Sequence, residues 1–203
     1  MGNSHPPDRV IHPWPLRLTH WVNAVVIAVM IGSGWQIYDA SPLFGFTFPP
    51  LVTVGGWLGA AIAWHLACMW ILVANGTIYF IWSLASGHFK KLFPIRPSEV
   101  WNDLRGALTF RLHHDLGVYN AVQKLLYVGV LVAGVMVVLS GLSIWKPVQL
   151  WFVCDLLGGY SVARYVHFFA MSAIAGFIAI HLLLVVMVPK VLPPMITGGR
   201  AEP

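Results

Sequence analysis

Four long runs of apolar residues, separated by shorter polar or turn-rich segments, dominate the chain. The runs cover about Leu18–Tyr38, Leu51–Trp82, Val122–Trp145 and Val162–Val188. A helix needs roughly 20 mostly apolar residues to cross the hydrocarbon core of a bilayer, and each run reaches that length. The pattern therefore predicts an all-α integral membrane protein, a four-helix bundle that occupies residues 1–203 as a single domain.

Composition and charge agree with a membrane location. Hydrophobic residues make up 58% of the chain and charged residues 9%, far from the balance of a soluble domain. The net charge of +5 does not indicate nucleic-acid binding, because the basic residues collect in segments beside the apolar runs. Nine of the twelve lie in the tails or the middle loop: Arg9, Arg17, Lys90, Lys91, Arg96, Arg105, Arg111, Lys190 and Arg200. The other two connections carry only Lys146, apart from Arg164 at the start of the fourth run. By the positive-inside rule, both termini and the loop at 85–115 are predicted to be cytoplasmic.

Four of the nine histidines fall within or at the edges of the apolar runs. They are His20, His65, His167 and His181. An ionisable side chain is costly there and usually functional, although any one of them alone could instead form a hydrogen bond between helices. The other five are predicted to lie in tails or loops where a polar ring costs little: His5, His12, His88, His113 and His114.

The spacing of the four helix histidines predicts two separate pairs. His167 and His181 are 14 residues apart, which places them on one side of a helix and roughly 21 Å apart along its axis. His20 begins the first helix at the inner face. Counting about 20 residues back from the inner boundary at Trp82 places His65 near the outer face. The pairs are therefore His20 with His181 and His65 with His167.

Two imidazoles facing each other across a bundle suit the two axial positions of a haem iron. A tetrahedral zinc site is disfavoured, since it needs four ligands that converge on one point. The chain has no Cys-Xaa-Xaa-Cys-His sequence for covalent attachment, so the haems are expected to be b-type. Glycines at 55, 56 and 59 in the second predicted helix, and at 129 and 134 in the third, serve either close helix packing or space for the macrocycle.

Five segments resemble the bacterial cytochrome b family that anchors nickel-iron hydrogenases, formate dehydrogenases and thiosulfate reductases, which is related to the prokaryotic b-561 cytochromes. They are RLTHWVNA at 17–24, WHLACMW at 64–70, GVYNAVQKLLY at 117–127, SGLSIWKPVQ at 140–149, and the region from ARYVHFFAM at 163 to His181. The resemblance implies two haem b groups with the same four histidines as iron ligands. It also implies a quinone beside Asn120, Gln123 and His181.

Several residues near the ends of the helices carry two interpretations. Arg17, Lys124 and Arg164 are candidates to pair with haem propionates, or are ordinary interfacial anchors. Asn120 and Gln123 could equally be polar residues at a helix start. The run of His113, His114 and Asp115 is either a proton relay to the quinone or a solvated loop.

The resemblance implies an electron-transfer subunit of the bacterial inner membrane, working between a periplasmic oxidoreductase and the quinone pool. A molybdopterin enzyme is one candidate partner, and Ser41–Pro50 with Trp145–Tyr160 is the expected docking face. The alternative is a partner-independent oxidoreductase that oxidises a small species such as superoxide at the outer haem. A haem-free transporter that uses the histidines for protons is the third hypothesis.

Overall fold

A computed structural model describes residues 12–88 and 121–199 of the chain. Its four long helices are α1 (Trp14–Ala40), α2 (Leu58–Ala85), α3 (Ala121–Trp145) and α5 (Tyr160–Met187). Two short helices are α4 (Trp151–Leu156) and α6 (Leu192–Thr197), and single 3-10 turns lie at Pro50–Val52 and Pro189–Val191. The four long helices are long and apolar enough to cross a membrane. The prediction of an all-α protein with four spanning helices is confirmed.

The helices form two compact units. The first unit comprises Met1–Phe89 with Val188–Pro203, and the second comprises Lys90–Met187. In the first, α1 packs along α2, and in the second, α3 packs along α5. We call the end of each pair that is joined by residues 41–57 or 146–159 the closed end, and the opposite end the open end. Each unit is therefore a helical hairpin.

The second spanning helix starts at Leu58, so the prediction of a start near Leu51 was wrong. Gly55 and Gly56 precede the helix with φ of 114° and 72°, left-handed values that break a helix and that only glycine adopts without strain. A Cβ on Gly55 would lie 2.6 Å from the backbone nitrogen of Ala61. These two glycines turn the chain into α2; they are not part of a helix-packing face.

The connection between α1 and α2 is fastened to the end of α1 by hydrogen bonds. The Val54 N–H donates to the Gly32 carbonyl at 3.0 Å, and the Thr53 hydroxyl donates to Gln36 Oε1 at 2.9 Å. Close contact at Gly32 is needed for this, because a Cβ there would lie 2.7 Å from Val54 Cγ2. The connection at the closed end of the first unit is thus joined to α1 by both a backbone and a side-chain hydrogen bond.

At the open end of the first unit, α6 packs against the start of α1. The Arg17 guanidinium donates to the Ile196 carbonyl, the Trp21 indole donates to the Met195 carbonyl at 3.2 Å, and the His12 backbone N–H donates to the Gly198 carbonyl at 3.0 Å. The last carbonyls of a helix lack partners within it. The start of α1 therefore supplies the donors that the end of α6 requires.

Two loop histidines are more enclosed than the sequence predicts. Burial, together with the nearby Arg17 cation, lowers the pKa of His12 below its ordinary value, and His88 is only 7% exposed. The expectation that a ring at these positions costs little was wrong, because the His12 backbone bonds to Gly198 just after α6 and the His88 ring packs against Trp82 on α2. His5, His113 and His114 lie outside the described residues.

Candidate cofactor-binding site

The four helix histidines are divided equally between the two units. His20 lies on α1 and His65 on α2, while His167 and His181 both lie on α5. All four residues are partly exposed. The pairs that the sequence predicts each take one histidine from each unit, and they stay predictions.

His65 packs against α1 through one edge of its ring. Its Nδ1 lies 3.1 Å from the Met30 carbonyl oxygen and 3.1 Å from Ser33 Oγ. The Ser33 hydroxyl donates to the Val29 carbonyl at 2.8 Å, within its own helix. Ser33 is completely buried. The first helix thus offers the ring a carbonyl and a hydroxyl oxygen three residues apart.

His167 makes the same contacts with α3. Its Nδ1 lies 3.0 Å from the Val137 carbonyl oxygen and 3.1 Å from Ser140 Oγ. The Ser140 hydroxyl donates to the Met136 carbonyl at 2.6 Å, and Ser140 is also completely buried. Carbonyl and serine are again three residues apart, so the arrangement around His65 is repeated atom for atom in the second unit.

These contacts fix the protonation of both rings. A carbonyl oxygen can only accept, so each Nδ1 must carry the hydrogen. Each serine hydroxyl donates its hydrogen to the carbonyl four residues earlier, so its oxygen acts as an acceptor toward the ring. The Nδ1–H is therefore shared between two acceptors. In a neutral imidazole with Nδ1–H, the lone pair resides on Nε2. That is the form that binds a metal, with the second nitrogen anchored by a carbonyl.

A glycine follows each serine and gives the ring room. A Cβ on Gly34 would lie 3.4 Å from His65 Cε1, and a Cβ on Gly141 would lie 3.1 Å from His167 Cε1. Each histidine is also seven residues after the first residue of its helix, counted from Leu58 and Tyr160. The two rings therefore lie at matching depths of roughly 10 Å from the closed end of their own units.

The other two histidines have different surroundings. The His20 ring meets the Trp21 ring edge-on, with centroids 5.4 Å apart. The His181 ring stacks on Phe177 with centroids 5.9 Å apart and planes 11° apart. Because α5 runs without interruption through His167 and His181, the two are separated by roughly 21 Å along it. One helix thus carries a candidate ligand near each of its ends.

Of the remaining candidates, Arg17 donates to the Ile196 carbonyl, while Lys124 on α3 and Arg164 on α5 are partly exposed. Gln123 is an exposed residue near the start of α3. Their roles toward propionate and quinone stay predictions. Asn120, His113, His114 and Asp115 lie outside the described residues.

Three buried polar side chains that contact a neighbouring helix were not predicted from the sequence. Ser33 and Ser140 are two of them, and their signal was a Ser-Gly dipeptide inside an apolar run, present in both helices. The third is Asn75 on α2, 7% exposed, whose side-chain amide donates to the Thr19 carbonyl and to Asn23 Oδ1, both at 2.8 Å. An asparagine in the middle of a spanning segment was itself a signal, because polar groups there are rarely left without a purpose.

Comparison with known proteins gives two findings. The family described as prokaryotic cytochrome b561 matches residues 11–198. A protein of Azospira oryzae, named "Putative protein-methionine-sulfoxide reductase subunit YedZ1", is 46% identical over 190 residues, which cover 93% of this chain and 96% of that protein. Both matches extend over all four long helices and all four candidate histidines.

Proposed function

The chain belongs to the prokaryotic cytochrome b561 family, whose members are membrane electron-transfer proteins that bind haem b, and from this premise we propose that it holds two b-type haems and carries electrons between the quinone pool and a periplasmic oxidoreductase. The single observation that carries the proposal is the matched environment of His65 and His167. Both rings have Nδ1–H anchored on a neighbouring helix, which selects the tautomer whose Nε2 would ligate iron.

The four histidines would supply the iron ligands of the two haems. His65 and His167 would hold the haem near the closed ends, and His20 and His181 would hold the haem near the open ends. Bound haem supplies reversible one-electron transfer at its iron. The protein supplies the orientation of the rings, apolar surroundings that keep water away, and a roughly 21 Å separation between the two ligands on α5.

The topology favours one haem near the periplasmic side of the membrane and the other near the cytoplasmic side. The four candidate spans, if they cross the membrane alternately, would bring both connections, residues 41–57 and 146–159, to the same side. The basic residues favour the cytoplasm for both termini and for the loop at 85–115. The closed ends then face the periplasm in a bacterial inner membrane, and the haem held by His65 and His167 is the outer one.

The partner that we propose is a periplasmic reductase. The Azospira relative is named as a subunit of a protein-methionine-sulfoxide reductase, and reduction of a sulfoxide to a thioether consumes two electrons and two protons and releases water. Electrons would therefore leave the chain at its periplasmic face, having come from a quinol that gives up two electrons and two protons. Ser41–Pro50 and Trp145–Tyr160 are the proposed docking segments. A molybdopterin enzyme is one candidate for that partner.

The quinone site is proposed at the opposite end, around Asn120, Gln123 and His181. His181 joins this site to the inner haem, because one residue would be both iron ligand and quinone neighbour. His113, His114 and Asp115 precede the site in the sequence and would carry protons between it and the cytoplasm. Arg17, Lys124 and Arg164 would pair with propionates.

A haem assay on the purified chain tests this function first. We expect a pyridine haemochrome of b-type haem at two per chain, and reduction of both haems by a quinol.

Asn120→Ala should slow that reduction at least tenfold while the haem content stays at two per chain, with Gln36→Ala at the closed end as the matched amide control. One haem per chain, or a quinol rate unchanged by Asn120→Ala, would contradict the di-haem or the quinone part respectively. Two haems that react rapidly with superoxide, in a chain that no reductase oxidises, would favour the partner-independent alternative.

A further inference from the structure

The repeated contact between histidine and serine has a consequence for redox chemistry. In both units a fully buried serine places its oxygen 3.1 Å from histidine Nδ1, beside the carbonyl that already accepts the same hydrogen. A serine with a purely local role donates its hydroxyl hydrogen to a carbonyl of its own helix, as Ser143 does with the Leu139 carbonyl at 2.9 Å. Ser33 and Ser140 do this and also accept from the ring.

A second acceptor on Nδ1–H increases the electron density of the imidazole. Hydrogen bonding from a ligating histidine to an acceptor raises the basicity of the ligand, and a more basic axial ligand stabilises the oxidised iron and lowers the reduction potential. The effect acts through the ring and requires no contact between the serine and the haem. It depends on ring orientation, which the glycine next to each serine permits.

We propose that Ser33 and Ser140 are positioning residues that act on one and the same haem, the one that His65 and His167 share. Each serine fixes the plane of its histidine ring, and together the two serines hold that haem at a lower reduction potential than it would otherwise have. This inference rests on the proposed di-haem function. It goes beyond it by assigning the tuning of one haem to two side chains that are 107 positions apart in the sequence and that repeat one local design.

The symmetry of the two contacts makes the prediction quantitative. Because the Nδ1-to-Oγ distances are equal at 3.1 Å, and each variant keeps the backbone acceptor, Ser33→Ala and Ser140→Ala should raise the potential by similar amounts. The two changes act on separate ligands, so their effects should add. The double variant is therefore expected to shift the same haem by about twice the single-variant amount.

The experiment is an optical redox titration of the purified, haem-loaded protein, with low-temperature electron paramagnetic resonance of the oxidised haems. We expect Ser33→Ala and Ser140→Ala each to move one component upward, the same component in both, and to change its g-anisotropy, while the other component stays in place. Ser33→Thr and Ser140→Thr keep a hydroxyl and should restore most of the wild-type potential. Ser143→Ala removes an equally buried serine from the helix that carries Ser140 and should move neither component.

Each outcome decides the question. Shifts in two different components would show that the serines serve different haems, and no shift in either variant would remove the tuning role; both overturn the proposal. Loss of one haem from the alanine variants, with recovery in the threonine variants, supports the positioning role in its strongest form. A wild-type protein with a single haem would defeat the proposed function instead, and it would be seen in the haem content before any variant is made.

Discussion

The closed ends of the two helical hairpins are built alike, whereas their open ends are not. At the closed ends, His65 and His167 both lie on the second helix of their unit and both face a carbonyl and a serine on the first. At the open ends, His20 lies on the first helix of its unit and His181 on the second helix of the other. Of the described residues, only the first unit has a buried asparagine joining its helices, at Asn75.

The contrast shows where the histidine geometry comes from. At the closed ends it comes from a local pattern: a carbonyl, a serine three residues later and a glycine four residues later, at Met30, Ser33 and Gly34 and again at Val137, Ser140 and Gly141. On a helix, residues at these spacings share one face, so the pattern builds a receptor for one ring edge. At the open ends, the His20 ring meets Trp21 edge-on and the His181 ring stacks on Phe177.

Among variants that keep all four histidines, the largest effect should come from filling the space beside one closed-end ring. Gly141→Ala places a methyl group 3.1 Å from His167 Cε1, tighter than ordinary contact, whereas Gly34→Ala places one 3.4 Å from His65 Cε1, within ordinary contact. We expect Gly141→Ala to lose more than half of the occupancy of one haem site, and Gly34→Ala to keep nearly full occupancy of both sites. The measurement is the ratio of haem to protein after purification.

Gly129→Ala is the control for this comparison, because it lies on the helix that carries Gly141 and a Cβ there would meet nothing within 4 Å. It should keep two haems per chain. Equal haem losses from Gly34→Ala and Gly141→Ala, or a greater loss from Gly34→Ala, would contradict the prediction that the shorter distance to the ring gives the greater loss.

A moderate effect is expected at the open end of the first unit. Asn75→Leu removes two hydrogen bonds, to the Thr19 carbonyl and to Asn23 Oδ1, and such bonds within a membrane contribute about 0.6 kcal/mol each, with a maximum near 1.7. We expect the free energy of unfolding in detergent to fall by about 1–2 kcal/mol, measured by a denaturant titration, with little change in the outer haem. Thr77→Val is the control on the same helix, since the Thr77 hydroxyl donates to the Val73 carbonyl within α2. A change of under about 0.3 kcal/mol for Asn75→Leu would remove its structural role.

The smallest effect is a pH dependence where α6 meets α1. Burial and Arg17 lower the pKa of His12 in the folded state, so folding favours the neutral ring. The associated stability is complete above the ordinary pKa of about 6.5 and is lost as the pH falls through the lower folded-state value. Amide hydrogen exchange at His12 and Gly198, corrected for its intrinsic rate, should therefore accelerate below that range. His12→Gln should abolish the extra pH dependence; a wild-type profile that stays flat would contradict the assignment.

The sequence predicted the spanning helices well because each is a long apolar run, and that signal does not depend on tertiary contacts. It misplaced the start of α2 because residues 51–57 are as apolar as the helix, while the turn before α2 depends on the left-handed conformations of Gly55 and Gly56 and on the close approach of Gly55 to Ala61. The histidines could be found since a single polar residue stands out in an apolar run. Ser33 and Ser140 could not be assigned in the same way, because a serine inside a spanning helix satisfies itself on its own backbone, and only the fold shows which serines also meet a ring.

The most direct test of the account is a redox and haem-content analysis of four single variants, His20→Ala, His65→Ala, His167→Ala and His181→Ala. We predict that each retains one haem, that His65→Ala and His167→Ala lose the component that the serine variants shift, and that His20→Ala and His181→Ala lose the other. Loss of the same component in His65→Ala and His20→Ala would contradict the account, because the two closed-end rings would then not share one iron.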